Sequence, residues 1–453
     1  MSRLLKPLRH DGMANSVQPP ASKVGQGGAK QPQHTFLQRL GPGLITGAAD
    51  DDPSGIATYS QAGAQFGFAL LWTMWFSLPL MTAIQEICAR LGRTTGLGIA
   101  ANLKKAYSKY VAFSVVALLC VANLFNLGAD ISAMGAAAQL VSGGSAVAYG
   151  ALFGGLSLFL QILIPYRRYV RYLRWLTWSL LAYVLTAFLV RVQWSAAFRS
   201  MALPAVSLDV NYLMALVGVL GTTISPYLFF WQTSEEAEEV RVRRTEAPLR
   251  KKPWQAAEQF RRIALDTRVG MAISNFVAFF IILTTGATLH ATGTPSVIAS
   301  SADAAKALEP LAGKLAFWLF ACGIVGTGLL AVPVLAGSAA YAVAELLHWP
   351  GSLEYHARGA PKFYGVLAAA MLGGVGLNLA GIDPIRALFW AAVVNGIVAV
   401  PVMFLIMLMS GNQHIVGPFL LPLHLRIGGW IATVAMLLAT LFFASSTVWH
   451  GLR

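Results

Sequence analysis

Eleven apolar stretches, each near the roughly 20 residues that a helix needs to cross a bilayer, occupy most of this 453-residue chain. They lie near 40–66, 69–89, 110–141, 147–164, 173–193, 210–233, 268–290, 315–345, 363–380, 385–410 and 428–447. A chain that is 56% hydrophobic and only 11% charged, with a mean hydropathy of +0.62, is not a soluble globular domain. The alternating pattern of a β-barrel is missing, and a helix satisfies its backbone groups internally in lipid. The expectation is an all-α integral membrane protein with one transmembrane domain over 36–447.

Lysine and arginine placement orients it. With the N-terminus in the cytoplasm, 27 of the 33 basic residues fall on the cytoplasmic side, nine of them between Arg241 and Arg268. Basic residues concentrate on that side, so the chain reads as a multi-pass cell-membrane protein with a cytoplasmic N-terminus. These loops and the anionic headgroups they meet account for the net charge of +14. The lipid bilayer is therefore an expected partner, and nucleic acid is not. Residues 1–35, rich in Gly, Pro, Gln, Ser and Lys, read as a disordered basic cytoplasmic tail without the apolar core of a signal peptide. Cys88, Cys120 and Cys322 stand apart, so no disulfide or thiolate metal site is expected.

Within the first stretch lie three consecutive carboxylates, Asp50, Asp51 and Asp52, followed by Pro53-Ser54-Gly55. Charges at membrane depth are costly and mark a functional site facing protein or water. Pro53 lacks an amide donor and clashes with the preceding turn, which predicts a broken helix. The sixth stretch is interrupted in the same way, by Gly221-Thr222-Thr223-Ile224-Ser225-Pro226-Tyr227. Matched breaks in two halves point to a transporter binding site at a repeat interface. The halves are spans 1–5 (about 40–193) and spans 6–10 (about 210–410). An odd number of spans per half makes the repeat inverted, and span 11 (about 428–447) falls outside it.

Gly41-Pro42-Gly43, Asp52-Pro53-Ser54-Gly55 and Gln61-Ala62-Gly63-Ala64-Gln65-Phe66-Gly67 together resemble the first helix of the NRAMP divalent-metal transporters. Ala89-Arg90-Leu91-Gly92 with Thr95-Gly96 is similar to the end of the family's second helix, and the sixth span extends the resemblance over most of 36–447. The resemblance implies a LeuT-type fold and alternating access around spans 1 and 6. It also implies that Asp52 is a metal ligand and that a backbone carbonyl of Thr222 or Thr223 contributes. The family's Asp-Pro-Gly-Asn becomes Asp52-Pro53-Ser54-Gly55 here, and its Met-Pro-His becomes Ser225-Pro226-Tyr227. In the third span a single acid, Asp130, stands where the family shows a pair. These departures resemble the divergent branch of NRAMP-related magnesium transporters.

Replacing a thioether by Ser225 leaves oxygen donors: Asp52, Asp51, hydroxyls and carbonyls. Hard oxygen donors and a wider pocket, opened by Gly55 and Ser225, suit a partly hydrated Mg2+ ion. Tyr227, with a reference pKa of about 10 against about 6.5 for histidine, is a poor proton carrier. The expectation is therefore uptake of a divalent cation, Mg2+ with Mn2+ tolerated, without proton coupling and without a bound cofactor. The metal ion is the substrate. Two further readings stay open, a proton-coupled Mn2+ symporter of this fold and an organic-solute symporter. No zinc-protease pair, nucleophile elbow or phosphate loop suggests an enzyme.

Asp130, in one stripe with Asn123, Asn126 and Met134, reads either as support for the site or as a packing residue. Asp50 and Asp51 read as shaping an outer vestibule. Asn395-Gly396 offers an amide oxygen or a flexible point. Glu86 and Arg90 read as a structural i,i+4 pair. Glu235, Glu236, Glu238 and Glu239 read as a solvated helix end balanced by Arg241, Arg243 and Arg244.

Overall fold

The computed structural model describes residues 42–451 apart from 165–175, 243–244, 293–297, 299 and 354–356. The expected tail at 1–35 lies outside the described residues. No strand occurs among those described. The first span is two helices, α1 (Pro42–Asp50) and α2 (Pro53–Phe66). Next come α3 (Trp72–Thr95), the short α4 (Ile99–Ala106), α5 (Lys109–Ser142) and α6 (Ala146–Leu163). The fifth span is described from a turn at Leu176–Leu180 through α7 (Leu181–Leu189), and the chain then bends by 113° into α8 (Trp194–Ala202). The sixth span is again divided, into α9 (Val210–Thr223) and α10 (Pro226–Val242). The bundle is completed by α11 (Ala256–Thr288), α12 (Ala316–Leu347), α13 (Pro361–Leu379), α14 (Pro384–Ser410) and α15 (Leu423–Gly451).

Among the described residues, eight spans are long and apolar enough on their own to cross a membrane, or nine with the bent pair around α7. The other two of the eleven expected spans are the first and second. The halves of the first are nine and 14 residues long, and α3 carries Glu86, Arg90 and Arg93 in its second half. Two boundaries differ from expectation. The sixth span continues past 233 to Val242, and the seventh begins at Ala256 instead of 268. Both extensions are rich in charge. They remain helical because the charges pair across the two helices, as Glu236 and Arg262 do at 2.6 Å.

The two halves pack with exchanged partners, as an inverted repeat requires. Span 7 (α11) lies along both pieces of span 1, and span 2 (α3) lies along the second piece of span 6. Small residues set these distances. A Cβ on Gly47 would come within 2.7 Å of the Gly270 Cα, so α1 and α11 meet backbone to backbone. Gly92 of α3 meets the Thr233 backbone of α10 in the same manner.

Candidate metal centre

Asp52 is held by the start of its own helix. It occupies the N-cap of α2 in an extended conformation (φ −73°, ψ 170°), with Pro53 at the first helical position. Its Oδ1 accepts hydrogen bonds from the Gly55 amide and the Ser54 hydroxyl, both at 2.7 Å. Capping of this kind satisfies an orphan helical N–H, and the positive end of the helix stabilises the carboxylate. Oδ2 points the other way. It lies 3.3 Å from the Asn126 amide nitrogen of α5 and 3.3 Å from the Tyr227 hydroxyl of α10. One oxygen thus fixes the carboxylate, and the other faces the space between spans 1, 3 and 6.

Asp50 and Asp51 turn toward span 7 instead. The Ser274 hydroxyl of α11 lies 2.5 Å from Asp50 Oδ2 and 3.1 Å from Asp51 Oδ1. Both aspartates are buried. In this conformation they are sealed against α11. Asp50 ends α1, Asp51 lies in the break and Asp52 caps α2, so the three point in different directions, and among the described residues no group of three or more Asp, Glu, His or Cys side chains is gathered as a metal cluster. Ser274 was missed in the sequence. Its signal was the polar pair Ser274-Asn275 inside an otherwise apolar span, with Asn275 bonded to Ser77 of α3 at 3.0 Å.

On the span 6 side, Thr222 faces Gly55 across the gap between the two breaks. The hydroxyls of Thr223 and Ser225 serve their own chain. Thr223 donates toward the Val219 and Leu220 carbonyls at 3.0 and 3.1 Å, and Ser225 toward Gly221 and Thr222 at 2.8 and 2.7 Å. Neither hydroxyl reaches an aspartate. Ser225 closes carbonyls that the end of α9 leaves open, including the Thr222 carbonyl expected at the site. Tyr227 does cross to span 1, where its hydroxyl also lies 3.0 Å from the Ala49 carbonyl.

Span 3 supplies the third wall. Asn126 reaches Asp52, and Asn123 donates to the Leu335 carbonyl and the Ser338 hydroxyl of α12 at 2.9 and 2.8 Å. Asp130, fully buried, approaches the Ser54 amide, yet neither carboxylate oxygen completes a hydrogen bond. Asn395 of α14 is equally buried with neither amide atom bonded, and Gly396 beside it packs on Gly221. Buried polar groups left unpaired are costly, which sets both residues apart from ordinary packing.

Side chains bridge neighbouring segments toward both ends of the site. At one end the Gln61 side chain accepts from the Ile298 amide at 3.0 Å, and His290 meets the Ala64 carbonyl at 3.0 Å. At the other end, Glu235, Glu236, Glu238 and Glu239 are buried, which corrects the expected solvated helix end. Glu236 pairs with Arg262 of α11 and lies 3.8 Å from Arg93 of α3. Arg93 is fully buried and also pairs closely with Glu246. Glu238 accepts from Ser352 at 2.6 Å and from Tyr341 of α12. The Glu86–Arg90 pair is present as expected, at 2.9 Å. Cys88, Cys120 and Cys322 are free.

A helical membrane bundle whose first and sixth spans are both broken, with each break facing the other, is a LeuT-type transporter fold. Residues 43–446 match the Nramp family, described as natural resistance-associated macrophage protein-like, and the chain belongs to it. A protein of Pectobacterium carotovorum named divalent metal cation transporter MntH is 26% identical over 435 residues, covering 93% of this chain and 96% of its own. The crystal structure of the Eremococcus coleocola manganese transporter superposes with a TM-score of 0.71 at 17% identity, covering 91% of this chain and 87% of that one. MHP1, a nucleobase-cation-symport-1 family transporter, superposes at 0.55 with 13% identity over 90% and 93% of the two chains. At those identities the structures share the fold.

Proposed function

We propose that the chain moves divalent metal cations across the cell membrane by alternating access, with its N-terminus in the cytoplasm, Mg2+ as the preferred cargo and Mn2+ tolerated. Transport runs down the membrane potential without a coupled proton. The observation that carries this reading is the residue set at the two facing breaks. Asp52-Pro53-Ser54-Gly55 and Thr222-Thr223-Ile224-Ser225-Pro226-Tyr227 offer a cation carboxylate, hydroxyl and carbonyl oxygens. No thioether or imidazole is among them. Hard oxygen ligands favour Mg2+, which keeps several of its waters.

In this reading Asp52 is the charged ligand and Asp51 the second carboxylate. The break in span 6, from Thr222 through Ser225, contributes carbonyl and hydroxyl oxygens as it opens. The family membership and the name carried by the Pectobacterium relative support a divalent cation as cargo. A potential of 100 mV supplies about 4.6 kcal/mol to a divalent ion, enough to drive uptake without protons. The second reading, a proton-coupled Mn2+ symporter, draws on Asp130, a buried carboxyl beside the site whose oxygens complete no hydrogen bond.

Purified protein in liposomes decides between them. Uptake of Mg2+, Mn2+ and Ca2+ is compared at a fixed potential while an internal dye reports pH. Mg2+ uptake without acidification is expected, and strict Mn2+ selectivity with acidification would overturn the proposal.

A further inference from the structure

The Tyr227 hydroxyl occupies a chemically specific position. Pro53 has no N–H, so it cannot close the carbonyl four residues earlier, that of Ala49. That carbonyl sits on one lip of the span 1 break, and Asp52 sits on the other. The Tyr227 hydroxyl reaches both, at 3.0 Å from Ala49 O and 3.3 Å from Asp52 Oδ2. The residue is buried, the second residue of α10, and its ring bridges span 6 to span 1. An open carbonyl and the outward oxygen of a carboxylate are what a hard cation would take as ligands. The hydroxyl and an arriving cation therefore compete for the same pair of oxygens.

We propose that Tyr227 is the protein's internal substitute for its cargo. Its one hydroxyl proton is shared between the two lips of the span 1 break in the unloaded carrier, and the hydroxyl yields those oxygens when a cation binds. The inference rests on the reading of Asp52 as a ligand. Its consequence lies in the transport cycle. A carrier without a coupled proton must return unloaded, and a buried carboxylate whose outward oxygen keeps only the Asn126 amide, at 3.3 Å, makes that return costly. A hydroxyl donor at Oδ2 lowers the cost. The loaded carrier does not need it, because there the cation compensates the charge.

Net uptake requires the unloaded return step, whereas exchange of external for internal cation does not. The test compares the two rates in liposomes with radioactive Mn2+ as the probe, for the wild type, Tyr227→Phe and Tyr227→His. In Tyr227→Phe the ratio of exchange to net uptake is expected to rise about tenfold, the weight of one hydrogen bond to a charged group. Its apparent KM should fall because a competitor is gone. Tyr227→His, read at a pH well above the imidazole's reference pKa of about 6.5 so that the ring stays neutral with one N–H, keeps a donor and should hold the ratio nearer the wild-type value than Tyr227→Phe does. A ratio unchanged in Tyr227→Phe, or raised equally in Tyr227→His, would overturn the proposal. Asp52→Asn separates the two ideas: loss of both uptake and exchange upholds the ligand, and retention of both removes it whatever Tyr227 does.

Discussion

A methyl group on Gly55 would lie 3.2 Å from the Thr222 hydroxyl oxygen and 3.3 Å from the Tyr59 ring, so the two broken spans meet at a residue with no side chain. Contacts that tight require the neighbours to give way, and overpacking of this kind costs about 1–3 kcal/mol. Gly55→Ala is expected to slow uptake while the protein still folds. Gly55→Val should abolish it by wedging span 1 away from span 6. Uptake rates, read beside thermal unfolding in detergent, check this: equal transport in the wild type and Gly55→Val would mean that the contact does not matter.

Asp52 has two jobs that substitutions can separate. Its Oδ1 caps α2 and its Oδ2 faces the site. Asp52→Ser keeps a capping hydroxyl and loses the charge, whereas Asp52→Ala loses both. Both variants should stop cation uptake. Asp52→Ala should also unfold more readily than Asp52→Ser, by about 1 kcal/mol, the usual weight of an N-cap. Melting curves and uptake measured on the same preparations test the two roles independently.

The Ser274 hydroxyl has one proton and two carboxylates within reach, Asp50 and Asp51. Removing it leaves two buried carboxylates without that donor. Ser274→Ala is expected to lower stability by about 1–3 kcal/mol, the cost of a buried group left unpaired, read as a lower melting temperature in detergent, while leaving Asp52 in place and transport measurable. A loss of uptake as complete as that of Asp52→Ala would instead make Ser274 part of the ion's own shell.

Both breaks were legible because proline coincides with polar residues there. Proline alone was not the signal, since Pro79, Pro333 and Pro401 sit inside continuous helices. What distinguishes Pro53 and Pro226 is the preceding side chain. Asp52 caps the new helix, and Ser225 closes the carbonyls that the old one leaves open. Direction was not legible. Nothing in three consecutive aspartates says that Asp52 faces spans 3 and 6 while Asp50 and Asp51 face span 7, because that depends on how the unwound segment is threaded. The acidic run after span 6 was misread for a related reason. Four glutamates near three arginines in sequence suggest a solvated end, but their partners Arg93, Arg262, Tyr341 and Ser352 come from distant segments.

That buried network gives the last prediction. Arg93 leaves α3 to meet Glu236 and Glu239 of α10 and the Glu246 loop, whose neighbours Leu249 and Arg250 bond to the Arg93 and Thr94 carbonyls at 3.2 and 3.3 Å. The guanidinium is fully buried, so its charge is compensated by those carboxylates and not by water. Breaking a buried pair by removing one partner costs about 3–5 kcal/mol, because the other charge is left uncompensated. Arg93→Gln should lower the melting temperature and loosen this end of the bundle. A cysteine introduced at Ser234, buried beside Glu345 of α12 at 2.9 Å, should then react faster with a water-soluble thiol reagent. Adding Glu246→Gln removes one of the stranded charges and should recover part of the loss. If the double variant is no more stable than Arg93→Gln alone, the Arg93–Glu246 contact is not what holds this end closed.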